Sequence, residues 1–135
     1  MIIGGVAGGA STAARLRRLD EQAEIILFEK GEYISYANCG LPYYIGGVIE
    51  ERERLFVQTP ESFKARFNIE VRIKSEVKAI EPENKQVVIK DWATGKTYRE
   101  SFDKLVLSPG AEPVLPPWEG IRTEGIFTLR NVADT

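Results

Sequence analysis

Apolar residues fall in short blocks along this chain, and the spacing of the blocks predicts its elements. Ile2-Ile3 leads into Gly4-Gly5-Val6-Ala7-Gly8-Gly9, after which Ala10, Ala13, Ala14, Leu16 and Leu19 recur at helical intervals with Arg15, Arg17 and Arg18 among them. Residues 23–29 contain Ile25-Ile26-Leu27-Phe28 in unbroken succession, the pattern of a strand buried on both faces. Strand, glycine turn, helix and strand within about 30 residues make a βαβ unit, whose crossover is expected to be right-handed. Pro42 lacks an N–H and suits only the first turn of a helix, so a helix over residues 38–46 is predicted to begin near Asn38 or Cys39 and to end at Gly46-Gly47. Thr59-Pro60-Glu61 reads as an N-cap, a proline at the first helical position and an acidic first turn, opening a helix to about Phe67.

From Glu70 the period shortens to that of strands. Segments 71–73, 76–80, 86–92 and 97–101, joined by turns at Pro82-Glu83-Asn84 and Ala93-Thr94-Gly95-Lys96, predict an antiparallel β-meander at about 70–101. Residues 104–107 then lead back into the main sheet, and Ser108-Pro109-Gly110-Ala111 turn the chain at that strand's carboxyl end. Pro113, Pro116 and Pro117 suit an extended exit, and residues 125–129 predict one more short strand. The expected fold class is α/β, a Rossmann-like domain with a parallel sheet, flanking helices and a small antiparallel meander.

Composition removes several classes of function. The 135 residues suit a single domain, and 43% hydrophobic with 28% charged residues is ordinary for a globular protein. A net charge of −2 and a pI near 5.3 give no broad positive field, so neither nucleic acid nor a membrane surface is an expected partner. No leader or membrane-spanning run is read from the sequence, which points to a cytoplasmic protein. There is one cysteine and no histidine, so no internal disulfide, no Cys–His dyad and no metal site are expected.

Three features carry candidate chemistry. The turn from Gly4 to Gly9 matches the dinucleotide fingerprint at its first and last glycines, with Val6 where the middle glycine belongs. Such a turn lets phosphate oxygens meet the free N–H groups of a helix N-terminus. Glu29 ends the second strand 20 residues after Gly9, where a carboxylate can accept both hydroxyls of an adenosine ribose; the plain alternative is an exposed charge at a strand end. Cys39 is expected at the positive end of its short helix with Asn38 as N-cap, a setting that favours a thiolate; the plain alternative is a small buried hydrophobe. Tyr33, Tyr36, Tyr43 and Tyr44 suit either a pocket lining or, more simply, aromatic packing around a short helix; Trp92 and Trp118 read as packing residues, and Glu50-Glu51-Arg52-Glu53-Arg54 as a solvated stretch.

Taken together, the chain resembles the N-terminal part of the single-cysteine pyridine nucleotide-disulfide oxidoreductases, nearest the coenzyme A disulfide reductase group and its rhodanese-fused forms. The resemblance lies in Gly4-Gly5-Val6-Ala7-Gly8-Gly9-Ala10, Phe28-Glu29-Lys30, Ser35-Tyr36-Ala37-Asn38-Cys39-Gly40-Leu41-Pro42-Tyr43, Thr59-Pro60-Glu61, Leu105-Val106-Leu107-Ser108-Pro109-Gly110-Ala111 and Gly125-Ile126-Phe127-Thr128-Leu129-Arg130-Asn131, the cysteine box being the most discriminating. It implies FAD bound by Gly4, Gly5, Val6, Ala7, Gly8 and Gly9, by Glu29 and Lys30, and by Ser108, Pro109, Gly110 and Ala111. It implies Cys39 as the nucleophile of a reductase that takes electrons from NAD(P)H and acts on CoA disulfide or CoA persulfide, with CoA contacts from Ser11, Arg15, Arg18, Ser35 and Asn38. Relatives that reduce peroxide or oxygen place a histidine where Ala7 stands. An oxidase or peroxidase cycling Cys39 through a sulfenic acid, and a nucleotide-binding module without redox chemistry, are the competing readings. The resemblance further implies residues 1–113 as the first part of an FAD domain, residues 114–135 as a linker toward an NAD(P)H domain, a homodimer at full length, and a stretch inactive by itself.

Overall fold

The computed structural model describes residues 1–135 and divides into two compact units. The first comprises Met1–Tyr36 and Phe56–Pro109, the second Ala37–Leu55 and Gly110–Thr135.

In the first unit, β1 (Ile2–Ile3), β2 (Ile26–Phe28), β3 (Glu70–Arg72) and β7 (Val106–Leu107) form one sheet in the order β3-β2-β1-β7, with every neighbouring pair parallel. Helix α1 (Ala7–Leu19) links β1 to β2, and α3 (Pro60–Phe67) precedes β3. Parallel strands need such crossovers, and the helices cover the sheet's apolar side chains. Ile2, Ala10, Ala13, Ile25, Leu27, Ile34, Phe63 and Ile69 make that core. Small residues on the inner side of α1 allow a close approach: a Cβ on Gly9 would sit 3.2 Å from Ile2 Cγ2. Thr59 caps α3 as expected, its hydroxyl accepting from Ser62 N–H at 3.2 Å while Ser62 Oγ accepts from Thr59 N–H at 2.8 Å. Arg17 turns inward and ties the ends of both helices, donating to the carbonyls of Phe67 (2.8 Å), Asn68 (3.0 Å), Asp20 (3.2 Å) and Glu21 (2.6 Å).

Strands β4 (Ser75–Glu81), β5 (Gln86–Asp91) and β6 (Thr97–Ser101) form the antiparallel meander. Its inward residues Val87 and Ile89 join Ile26 and Phe28 in a second core cluster. The meander begins later than the sequence suggests: residues 70–72 belong to the parallel sheet, because α3 returns the chain alongside β2 before Lys74, at φ 51°, turns it into β4. Arg72 joins the two sheets from β3, with its guanidinium on Glu70 and Glu100 and over the Phe28 ring.

The second unit has little regular structure. A 3₁₀ turn at Asn38–Gly40 runs into α2 (Leu41–Ile45), and further 3₁₀ turns lie at Arg52–Leu55 and Val132–Asp134. Leu41, Leu55 and Val132 are its buried apolar residues. The strand predicted over 125–129 does not form; no other strand pairs with it, and Phe127 is 87% exposed. Trp118 is 70% exposed, and Trp92 of the first unit 58%, so neither is the packing residue expected. No helix is long and apolar enough to cross a membrane.

Candidate functional site

The glycine turn of the first unit is shaped by what its residues cannot accommodate. Gly4 has φ 96°, a conformation side chains rarely adopt, and a Cβ there would overlap the Ser108 carbonyl. A Cβ on Gly9 would overlap the Gly4 carbonyl, and one on Gly5 would lie 2.6 Å from Ile34 Cγ2 and 2.9 Å from Leu27 Cδ2. Gly5 and Gly9 are buried, whereas Ala7 and Gly8 at the head of α1 are exposed. Val6 occupies the cap position with its side chain half-buried and no side-chain capping bond. The result is a turn closed against the sheet and open at the N-terminus of a 13-residue helix that has no acidic residue in its first turn. That end carries unsatisfied N–H groups and the positive pole of the helix, which suits a phosphate.

Other predicted residues border this turn. Ser108 Oγ lies 3.2 Å from where a Cβ on Gly8 would be, so its hydroxyl stands beside the exposed end of α1. Ser35 donates its N–H to the Gly5 carbonyl at 2.9 Å and holds φ 46°, a strained value for a non-glycine residue. Glu29 is only 9% exposed, and its carboxylate faces back into the turn: Oε2 accepts from Gly5 N–H and Oε1 from Gly31 N–H, each at 2.8 Å. It is therefore not the exposed strand-end charge of the plain reading. Lys30 and Pro109 are exposed. Ser11, Arg15 and Arg18 are exposed and spaced i, i+4, i+7, which places them along one face of α1.

The second unit contains the cysteine. Cys39 is exposed, which overturns the buried-hydrophobe alternative. The helix expected to start at Asn38 or Cys39 starts instead at Leu41 and has five residues, with Pro42 in its first turn. Residues 38–40 wind more tightly, the Leu41 N–H bonding to the Asn38 carbonyl, so Asn38 lies inside the turn and Ala37 takes the cap position. Asn38 consequently caps nothing; its Oδ1 is buried without a hydrogen-bond partner. Gly40 is closely packed, as a Cβ there would come 2.9 Å from Leu55 Cδ2. Tyr43 is 58% exposed beside the turn, contrary to the packing role read from the sequence.

Gly110 and Ala111 are exposed in the same unit, and sequence reasoning missed what holds them there. Arg130 Nε donates to the Ala111 carbonyl at 2.7 Å, and its Nη2 lies 2.9 Å from a Cβ built on Gly110. Gly110 has φ 75°. The only sequence signal for Arg130 was its place in the last of the shared motifs. A shallow depression of about 580 Å³ in this unit is lined by residues such as Leu115, Trp118 and Ile121, and by none of the predicted site residues.

Comparison with known proteins gives a consistent set of relatives. The model of the pyridine nucleotide-disulphide oxidoreductase family matches residues 1–135. A coenzyme A disulfide reductase of Staphylococcus aureus (strain JH9) is 45% identical over 135 residues, which is 100% of this chain and 30% of that protein. Among solved structures, the reduced CoADR-RHD of Bacillus anthracis superposes with a TM-score of 0.94 at 59% identity, covering 98% of this chain and 24% of the other. A NAD-dependent persulfide reductase from A. fulgidus superposes with a TM-score of 0.91 at 38% identity, covering 98% and 25%. The chain thus spans about a third or less of the length of the proteins it resembles.

Proposed function

Because the chain belongs to the pyridine nucleotide-disulphide oxidoreductase family, we propose that the protein carrying it reduces CoA disulfide or CoA persulfide with electrons from NAD(P)H, using Cys39 as its redox sulfur. The observation that carries this reading is the exposure of the one cysteine at the head of the Gly40-Leu41-Pro42 turn. A sulfur in that position can reach a substrate, which a buried structural cysteine cannot.

The residues of the first unit fit a dinucleotide. The open end of α1 at Ala7 and Gly8 would take the pyrophosphate, Gly4 and Gly9 keep the backbone close to it, and Ser108 adds a hydroxyl at its edge. Glu29, at the end of β2, is the candidate for the adenosine ribose, and Lys30 and Pro109 complete the first unit's share of the set assigned to FAD; Gly110 and Ala111, which the family resemblance also assigns to FAD, belong to the second unit. FAD held there supplies a two-electron relay between NAD(P)H and sulfur.

The remaining chemistry belongs to Cys39. Its thiolate attacks one sulfur of the substrate disulfide, forming a Cys39–S–S–R bond and releasing R–S⁻, which takes a proton. Two electrons originating in NAD(P)H cleave that bond, returning the thiolate and a second R–SH. The balance is one disulfide, one NAD(P)H and one proton to two thiols and NAD(P)⁺, and it requires no second cysteine. Arg15 and Arg18 suit the phosphates of CoA, because guanidinium groups pair with phosphate in bidentate fashion. Ser11, Ser35 and Asn38 are the other CoA contacts proposed.

The test uses the full-length protein, assayed with CoA disulfide, a CoA persulfide, hydrogen peroxide and oxygen. Turnover of the first or second and its loss in Cys39→Ser are expected. Faster turnover of peroxide or oxygen would establish the sulfenic-acid reading instead, and full activity in the serine variant would remove Cys39 from the chemistry.

A further inference from the structure

Glu29 is the one acidic side chain among the buried residues, and nothing about a ribose contact explains where its carboxylate points. Its main chain is fixed on both sides, Glu29 N–H donating to the Arg72 carbonyl and Ser75 N–H to the Glu29 carbonyl, each at 2.9 Å. The side chain then turns toward its own protein. Oε2 accepts from the buried Gly5 N–H and Oε1 from Gly31 N–H, at 2.8 Å each. Gly5 is held at its other polar group as well, since its carbonyl accepts from Ser35 N–H. With Ile34 and Leu27 filling the space a side chain would need, Gly5 has no freedom left.

We propose that Glu29 is a positioning residue whose carboxylate, by accepting the Gly5 and Gly31 N–H groups together, sets the shape of the glycine turn before any nucleotide binds. Two acceptor oxygens are required for this, one per amide. A carboxylate has them, whereas the amide of glutamine offers one acceptor and turns a donor toward the other N–H. A ribose hydroxyl both donates and accepts, so glutamine can still pair with it. Glu29→Gln therefore separates the two roles: it removes one of the two bonds of the backbone clamp and retains hydrogen bonding to a ribose. Preforming the turn raises affinity by removing an ordering cost that binding would otherwise meet. Only the affinity part of the inference rests on the FAD reading above.

The experiment compares full-length wild type, Glu29→Gln and Glu29→Asp, stripped of nucleotide, by amide hydrogen exchange at Gly5 and Gly31, followed by FAD titration. An unpartnered buried donor is costly, so exchange in Glu29→Gln is expected to rise by about tenfold or more at whichever of the two amides the glutamine nitrogen faces, while Val87 and Ile89 in β5 keep wild-type rates. FAD affinity is expected to fall by about tenfold with it. Wild-type exchange at Gly5 and Gly31 in a folded Glu29→Gln protein would overturn the proposal, whatever happened to FAD. Should β5 lose protection in Glu29→Gln, the shorter Glu29→Asp, which keeps the charge, is judged by the same two amides. Wild-type protein that bound no FAD would refute the cofactor assignment and leave the exchange result to decide the role of Glu29.

Discussion

The glycine turn of the first unit and the cysteine turn of the second do opposite things with their surroundings. In the former Gly4, Gly5 and Gly9 are pressed against backbone or core, and the polar groups of Gly5 are tied by Glu29 and Ser35. In the latter the important side chain is in solvent, the helix behind it has five residues, and a neighbouring acceptor has no partner. The contrast teaches that a turn shaped by its main chain must be built by packing, whereas an exposed side chain needs only a short, well-seated turn behind it. Errors should accordingly be expensive for folding in the first place and for chemistry in the second.

The sharpest way to break the contrast is to exchange their sensitivities. Gly9→Ala drives a methyl group into the Gly4 carbonyl, so it is expected to cost about 3 kcal/mol or more in denaturant unfolding of the full-length protein. Cys39→Ala, at an exposed site, is expected to change stability by no more than about 0.5 kcal/mol. Equal losses would show that the two turns are not differently built. Next in size, Arg17→Met removes the donors that hold four carbonyls at the ends of α1 and α3, with an expected loss of about 2 kcal/mol and faster amide exchange in the last turns of both helices. Thr59→Ala opens the capping box of α3 for about 1 kcal/mol, and Ser62 N–H exchange reports it.

A smaller effect concerns acid. Hydrogen bonding lowers the carboxyl groups of Glu76 with Lys78, Glu81 with Arg99, and Asp91 with Thr94 in the meander, with burial opposing it in each. A carboxyl group whose folded value is depressed contributes stability that is complete above its unfolded value, about 4, and is lost as pH falls through the folded one. Unfolding midpoints measured at pH 7 and then below pH 4 should therefore decline, with amide protection in β4 and β6 weakening on acidification. A meander whose protection rose on acidification would reverse the sign.

The regular parts of this fold were legible because each is dictated locally. Thr59-Pro60-Glu61 announces α3 by capping chemistry, and the uninterrupted Ile25-Ile26-Leu27-Phe28 block announces β2 by its burial on both faces. Period alone assigns residues 70–72 to the meander because it does not reveal a partner; only the crossover through α3 makes them parallel to β2. Residues 125–129 have strand composition without a neighbouring strand to complete their hydrogen bonds, and composition cannot supply one. In the cysteine turn, Asn38 looked like a cap because its residue type favours that position, yet the tighter winding moved the cap to Ala37. The roles of Glu29 and Arg130 as holders of backbone depend on side-chain direction, which spacing does not encode.

The proposed function turns on Cys39 exchanging electrons with a bound flavin. Its most direct test is the visible spectrum of full-length protein during NADH titration, for wild type and Cys39→Ser. A flavin band in both, with a long-wavelength charge-transfer shoulder only where the Cys39 thiolate is present, is the predicted result. A shoulder that persists in the serine variant, or wild-type protein with no flavin band, would contradict it.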